Sequence, residues 1–231
     1  MITKENVENY YNSFKSHQKT LGINIRHRRI FKDLKKAGLK PDSNVLEVGC
    51  GVGTVSHLIL KYITAGKYVG FDISSESIEL AKKFNSFHKN AEFYSNDMSS
   101  FTHKTKFDFV VFPDVLEHIP VEQHANIFKT IAELTTPDAT VLINIPEPLT
   151  LDWHWKNKAE DLQIIDQPLS IRDLCNNCYP YGFHLCSMNH YGLYFVDNEY
   201  LSIVLKKYKP IEKVYPKSKI QLGIENFISK F

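Results

Sequence analysis

Residues 45–53 read Val45-Leu46-Glu47-Val48-Gly49-Cys50-Gly51-Val52-Gly53. An apolar run ends in an acid, three glycines follow at alternating positions, and a helical pattern starts at Thr54. Glycines in a strand-to-helix turn let the backbone bend tightly and approach a ligand without interference from a Cβ. The acid discriminates between ligands. Two residues before the first glycine of a pyrophosphate turn, a carboxylate would face a negatively charged group, so Glu47 points to a cationic one. The phosphate fingerprint G-x-G-x-x-G also fails in its last place, where Thr54 stands.

The rest of the chain sets outer limits. With 231 residues it suits one α/β domain with a sizeable core. Hydrophobic residues at 43% and charged residues at 23% are ordinary for a globular protein. No apolar run approaches the roughly 20 residues of a membrane span, and the first six residues lack the apolar core of a secretory signal. The net charge of +2 gives no argument for nucleic-acid binding. Four cysteines without a disulfide-framework spacing suit a reducing, cytoplasmic setting.

Working outward, residues 3–20 read as a helix capped by Thr3, with Val7, Tyr10, Tyr11 and Phe14 at helical spacing. A second helix spans 23–37, with Gly38 as its stop. Residues 1–40 thus form a helical cap, and 41–207 the main domain. Within the domain, strands at 44–48, 67–71, 91–94, 107–112 and 140–145 alternate with helices at 54–63, 75–87 and 121–135. That alternation predicts a parallel sheet built of βαβ units. From Pro146 the periodicity disappears, and residues 146–168 read as a long loop lining a substrate. A helix at 170–179, two alternating runs at 183–194 and 199–206, and a tail (208–231) ending in a short helix complete the chain.

Further acids stand at the ends of the later strands: Asp72, Asp97, and Asp114 in Asp114-Val115-Leu116-Glu117-His118. With the glycine turn, this set resembles the class I S-adenosylmethionine-dependent methyltransferases, closely over roughly residues 40–145. The resemblance implies a Rossmann-like, seven-stranded, mostly parallel sheet with an antiparallel last strand and helices on both faces. It also implies S-adenosyl-L-methionine as cofactor. The turn of Glu47, Gly49, Cys50, Gly51 and Gly53 would lie under the methionine part. Asp72, followed by Ile73, would accept the ribose hydroxyls, although an Asp before Ser74-Ser75-Glu76 also reads as a helix cap. Asp97 and Met98 would hold the adenine, or form only a polar turn. Asp114 would offer its carbonyl to the methionine amino group.

Catalysis is less determined. His118, one turn after Asp114, is a candidate general base, because histidine exchanges protons near neutral pH. The alternative, which the same motif offers, is a residue that lines the pocket or contacts the cofactor. His154 is a second, weaker candidate. Tyr10, Trp153, Trp155 and His190 are candidate substrate contacts, the indoles because loop aromatics commonly mark binding surfaces. Arg26-His27-Arg28-Arg29 is either a solvated face or the source of one Arg for a carboxylate. Cys175-x-x-Cys178 with His184 and Cys186 lacks the spacing of a common zinc site, so no metal is expected. A nicotinamide-dependent oxidoreductase is disfavoured by Glu47 and Thr54. The chain reads as a methyltransferase for a small molecule, such as a sugar, phenolic or carboxylic metabolite, with oxygen ahead of nitrogen as nucleophile. A protein or lipid acceptor stays open, as does the oligomeric state.

Overall fold

The computed structural model describes residues 22–208 apart from 99, 100 and 196, together with residues 6, 10, 213 and 215–228. Asn6 and Tyr10 are helical, and the rest of the helix read at 3–20 lies outside the described residues. Helix α1 (Ile25–Lys36) starts where two side chains cap each other's backbone. Asn24 Oδ1 accepts from the His27 amide at 3.0 Å, and His27 Nδ1 accepts from the Asn24 amide at 3.1 Å.

The chain then alternates β1 (Val45–Val48), α2 (Thr54–Leu60), β2 (Tyr68–Asp72), α3 (Ser75–Phe84), β3 (Ala91–Ser95), β4 (Phe107–Pro113), α4 (Val121–Leu134) and β5 (Thr135–Pro146). After α5 (Pro148–Asn157) and α6 (Ile171–Cys178) come β6 (Phe183–Tyr191), β7 (Tyr200–Lys207) and the terminal α7 (Lys219–Ile228). The seven strands lie in the order β3-β2-β1-β4-β5-β7-β6. Pairs among β1 to β5 are parallel, and β7 runs antiparallel to both β5 and β6. This is the doubly wound sheet with a reversed last strand that the sequence predicts. Strand order reverses beside β1, at the β1/β4 boundary, where open α/β sheets form a crevice at their carboxyl edge.

Both faces of the sheet are covered, and the alternation along each strand divides the core in two. Leu46, Val48, Val69, Phe71, Val110, Phe112, Val141 and Ile143 pack against α4 and α6. Val45, Tyr68, Phe109, Val111 and Leu142 pack on the opposite face with α1, α2 and α3. Burial on both faces explains why the strands read as continuous apolar runs.

The expectation of a loop over 146–168 is corrected: residues 148–157 are helical. Glu147 caps the helix by accepting from the amides of Leu149 (2.8 Å) and Thr150 (3.1 Å), and Pro148 occupies the first turn. Only Leu151 of α5 is buried, so the helix needs no apolar stripe and shows none in its sequence. The strand read at 140–145 is also longer, because β5 begins at Thr135, directly after α4.

Phe128 of α4 is fully buried, with ring centroids 6.2 Å from Phe112 and 6.1 Å from Phe183. It ties β4 to β6 through the helix. Phe128→Ala should therefore cost about 3–5 kcal/mol of folding stability, read as a lowered midpoint in urea unfolding. A loss under about 1 kcal/mol would show that the two strands do not meet through this ring.

Candidate active site

The carboxyl edge of the sheet opens into a cavity of about 760 Å³. The β1–α2 turn forms its floor. Gly49, Gly51 and Gly53 all take positive φ. A Cβ at Gly49 would stand 2.4 Å from Val115 Cγ2, and one at Gly53 2.6 Å from Asn85 Nδ2, so these two positions admit no side chain without displacement.

Glu47 lies beneath this turn with 0% of its surface exposed. Its Oε2 accepts from the Tyr68 hydroxyl at 2.6 Å, and Tyr68 in turn meets Ser56 Oγ at 2.7 Å. Oε1 is buried and has no hydrogen-bond partner among the described residues. Burial pushes the carboxyl up to about 8, only partly offset by Tyr68 and Ser56. A buried oxygen of this kind is costly unless a donor meets it.

Asp72 ends β2, with its carboxyl raised by burial and held back by two backbone donors. Oδ2 accepts from the Gly51 amide at 2.8 Å and Oδ1 from the Ser74 amide at 2.9 Å. The side chain thus fixes the glycine turn, while each oxygen keeps a second lone pair for a ligand. Ser74, and not Asp72, caps α3. Beyond β3, Asn96 Oδ1 accepts from the Met98 amide at 2.7 Å and bends the chain, putting buried Met98 at φ 65. Ile73, Asp97 and Met98 line the cavity together.

Asp114, just past β4, also has a positive φ, 55. Its amide donates to the Asn144 carbonyl at 2.9 Å. Its carboxylate accepts from the Asn144 side chain, which accepts from the Tyr191 hydroxyl. Asp114 Oδ2 also lies 2.9 Å from Arg26 Nε, an ion pair without aligned hydrogen-bond geometry. Arg26 further donates to the Tyr200 hydroxyl at 3.2 Å. The basic run on α1 is therefore split by function. Arg26 reaches the cavity, Arg28 is exposed, and Arg29 pairs with Asp33 and covers the Tyr191 ring at 4.1 Å. His27 also lines the cavity, and burial lowers it to about 4, so it is neutral.

On the far side stand Glu117, which is buried, and His118, whose side chain is 9% exposed. His118 Nδ1 is 2.6 Å from the Ile165 carbonyl and 3.1 Å from Asp166 Oδ1, and Nε2 is 3.8 Å from Glu117 Oε1. Burial alone would lower the imidazole, but Glu117 and Asp166 outweigh it and raise it to about 9. His118 is therefore a cation at neutral pH. Glu117 is raised by burial, and the His118 cation opposes that shift. Its Oε2 has no hydrogen-bond partner among the described residues, and neither has Gln163 Oε1.

Residues 163–167 are laid against this pair by several bonds. The Gln167 amide donates to the Glu117 carbonyl at 3.1 Å, the Gln167 side chain to the Ile119 carbonyl, and the Gln163 amide to Asp166 Oδ2 at 2.7 Å. No local sequence signal marks Asp166 or Gln163, because both reach the site through tertiary packing.

Other candidates fall elsewhere. His154 lines the cavity, its Nδ1 2.9 Å from the Thr150 carbonyl. Trp153 and Trp155 are 50% and 51% exposed on the outer side of α5 and do not line the cavity, and Trp155 Nε1 donates to the Asp166 carbonyl at 2.8 Å. The helix explains this: at 100° per residue, facing His154 inward turns both neighbours away. His190 is exposed on β6, paired with Leu201, and also stands off the cavity. Tyr10 is half-buried and feels the charge of Asp166. Cys178 is a core residue whose thiol donates to the Phe183 carbonyl at 3.3 Å.

A glycine cradle over a buried carboxylate, at the switch point of a 3-2-1-4-5-7-6 sheet, defines a class I methyltransferase. Residues 23–187 match the family model described as a methyltransferase domain, and the chain belongs to that family. A curated relative, malonyl-[acyl-carrier protein] O-methyltransferase 1 of Ilyobacter polytropus, is 36% identical over 73 residues. That match spans 32% of this chain and only 27% of the relative. Among solved structures, magnesium protoporphyrin IX methyltransferase from Synechocystis PCC 6803 with bound SAH superposes with a TM-score of 0.68 at 19% identity, covering 88% of this chain and 99% of that one. A chain from the complex of the Haloferax volcanii Trm112 methyltransferase activator with a putative methyltransferase gives 0.72 at 14% identity, covering 90% and 100%. At these identities the two structures show a shared fold.

The raised groups fix a pH dependence. A carboxyl at about 8 in the fold and in its ordinary range when unfolded makes the native state the better proton binder between those values. Stability from Glu47 therefore falls as pH rises through that window. His118, at about 9 when folded, contributes fully below 6.5 and loses its contribution as pH rises through 9. Both act in one direction, so the urea midpoint of the ligand-free protein should fall steadily from pH 6 to pH 9. A midpoint that rises over this range would contradict the buried charges described.

Proposed function

We propose that the protein transfers the methyl group of S-adenosylmethionine to a small-molecule acceptor held in the same cavity, with oxygen the first choice of nucleophile and nitrogen the second. The observation that carries this reading is the single cavity lined both by Glu47, Asp72 and Asp97 and by Glu117, His118 and Asp166. Its volume falls within the roughly 300–1,000 Å³ of small-molecule sites, so cofactor and acceptor share a modest space.

The cofactor fits the residues present. Its ammonium group would supply the donor that buried Glu47 Oε1 lacks, the glycine turn would admit its amino-acid part, and Asp72 would accept from the ribose hydroxyls. Asp97, Met98 and Ile73 would hold the adenine end. The cofactor brings a methyl group already activated by the sulfonium. The chain's own task is to align a nucleophile and exclude water. Asn24, Arg26 and His27 of the cap segment line the site, residues 146–168 wall its acceptor side, and none of the described residues of the tail (208, 213 and 215–228) lines it.

Calorimetry should show S-adenosylmethionine and S-adenosylhomocysteine binding at micromolar levels, and absence of heat and thermal shift with both would end this reading. Asp72→Ala should weaken binding by about 1.5–3 kcal/mol, or roughly 10- to 150-fold, through loss of charge-assisted bonds. An unchanged dissociation constant in a folded variant would leave Asp72 only its turn-fixing role.

A further inference from the structure

We infer that Glu117 takes the acceptor's proton, and that the acceptor end of the cavity therefore selects an amine or a hydroxyl and turns away a carboxylate. This deepens the methyl-transfer reading above and rests on it. Glu117 is 1% exposed, yet its Oε2 belongs to a residue of the cavity wall and has no hydrogen-bond partner among the described residues. Gln163 Oε1 is in the same condition on the same wall. Two buried acceptor oxygens without donors require a ligand that brings hydrogens.

His118 is unsuited to the role. Its Nδ1 is committed to Asp166 and Ile165, its Nε2 faces Glu117, and as an imidazolium it has no lone pair to offer at neutral pH. It serves instead as the cation that keeps Glu117 ionisable in a buried setting, and Asp166 holds it there. His118 and Asp166 are thus positioning residues, and Glu117 is the catalytic one.

A carboxylate acceptor does not fit. It is already a nucleophile and has no proton to give up, so it needs no base, and Glu117 in its ionised form would repel it. The basic side chains on the wall are also engaged: Arg26 by Asp114 and Tyr200, His118 by two acids, and His154 by Thr150, while His27 is neutral. For an amine or hydroxyl the balance closes. The nucleophile's lone pair forms the bond to the methyl carbon as the carbon–sulfur bond breaks, leaving its electron pair on a neutral thioether. The nucleophile's proton passes to Glu117 Oε2 and then to water.

The test uses the full chain, tritiated-methyl S-adenosylmethionine and a small-molecule extract of cells that make the protein. Methyl esters release volatile methanol in alkali, whereas methylated amines and ethers do not. The label should enter alkali-stable small molecules. Alkali-labile label, or no transfer while S-adenosylhomocysteine still binds, overturns the inference. Failure of wild-type protein to bind S-adenosylhomocysteine would instead overturn the underlying reading. With the labelled product identified, Glu117→Gln should lower kcat by about 10²–10⁴-fold, with S-adenosylhomocysteine affinity within a few-fold, and abolish the acidic limb of the pH–rate profile. His118→Gln should move that limb to higher pH, because the cation that favours ionised Glu117 is gone. An unmoved limb in His118→Gln, or a Glu117→Gln variant within tenfold of wild type, would refute the assignment.

Discussion

A carboxylate removed from water without full replacement of its hydrogen bonds is among the more costly features a fold can carry. This protein carries two at the carboxyl edge of one sheet. Among the described residues, Glu47 has one oxygen satisfied by Tyr68 and the other without a partner, and Glu117 has Oε2 without one beside His118. Everything around them serves to keep them there. The glycine turn excludes side chains from above Glu47, the Tyr68–Ser56 pair supports it from below, and residues 163–167 close the wall beside Glu117. The free energy withheld from folding is available to a ligand that supplies the missing positive charge and hydrogens, which is the economy of a preorganised site.

The second organising contact is Arg26 with Asp114. Five elements meet there: α1 brings Arg26, the end of β4 brings Asp114, β5 brings Asn144, β6 brings Tyr191 and β7 brings Tyr200. Asp114 holds an unfavourable left-handed backbone to take part, a local strain that such a network can sustain. Because β5 and the reversed β7 pair over seven residues, the network fixes the strand-four edge against a rigid frame. Cofactor and acceptor walls are therefore held in one register.

What was legible in the sequence follows from the range of the forces concerned. The sheet and its covering helices were readable because each strand is buried on both faces, and each acid sits at a strand end fixed by local alternation. Glu47, Asp72, Asp97 and Asp114 were found in this way, and all four line the cavity. Helix α5 was missed because a single buried leucine holds it, leaving no period to detect. The indoles were misplaced with it, since their inward or outward direction depends on helical phase. Asp166 and Gln163 left no trace, because 163–167 meets 117–119 across almost fifty residues. The protonation of His118 also depends on Asp166, so its proton affinity was not readable from the run Asp114–His118 alone.

Both tryptophans of the chain lie on α5, and both are about half exposed. Trp155 donates its indole hydrogen to the carbonyl of Asp166, whose carboxylate holds His118. The protein's indole fluorescence is thus the emission of one short helix, and one of its two emitters is hydrogen-bonded to the acceptor wall. The protein carries its own optical probe of that wall. Excitation near the red edge of the indole band reads the hydration of residues 163–167 without any label, in a molecule whose tyrosines are too numerous to report on any one place.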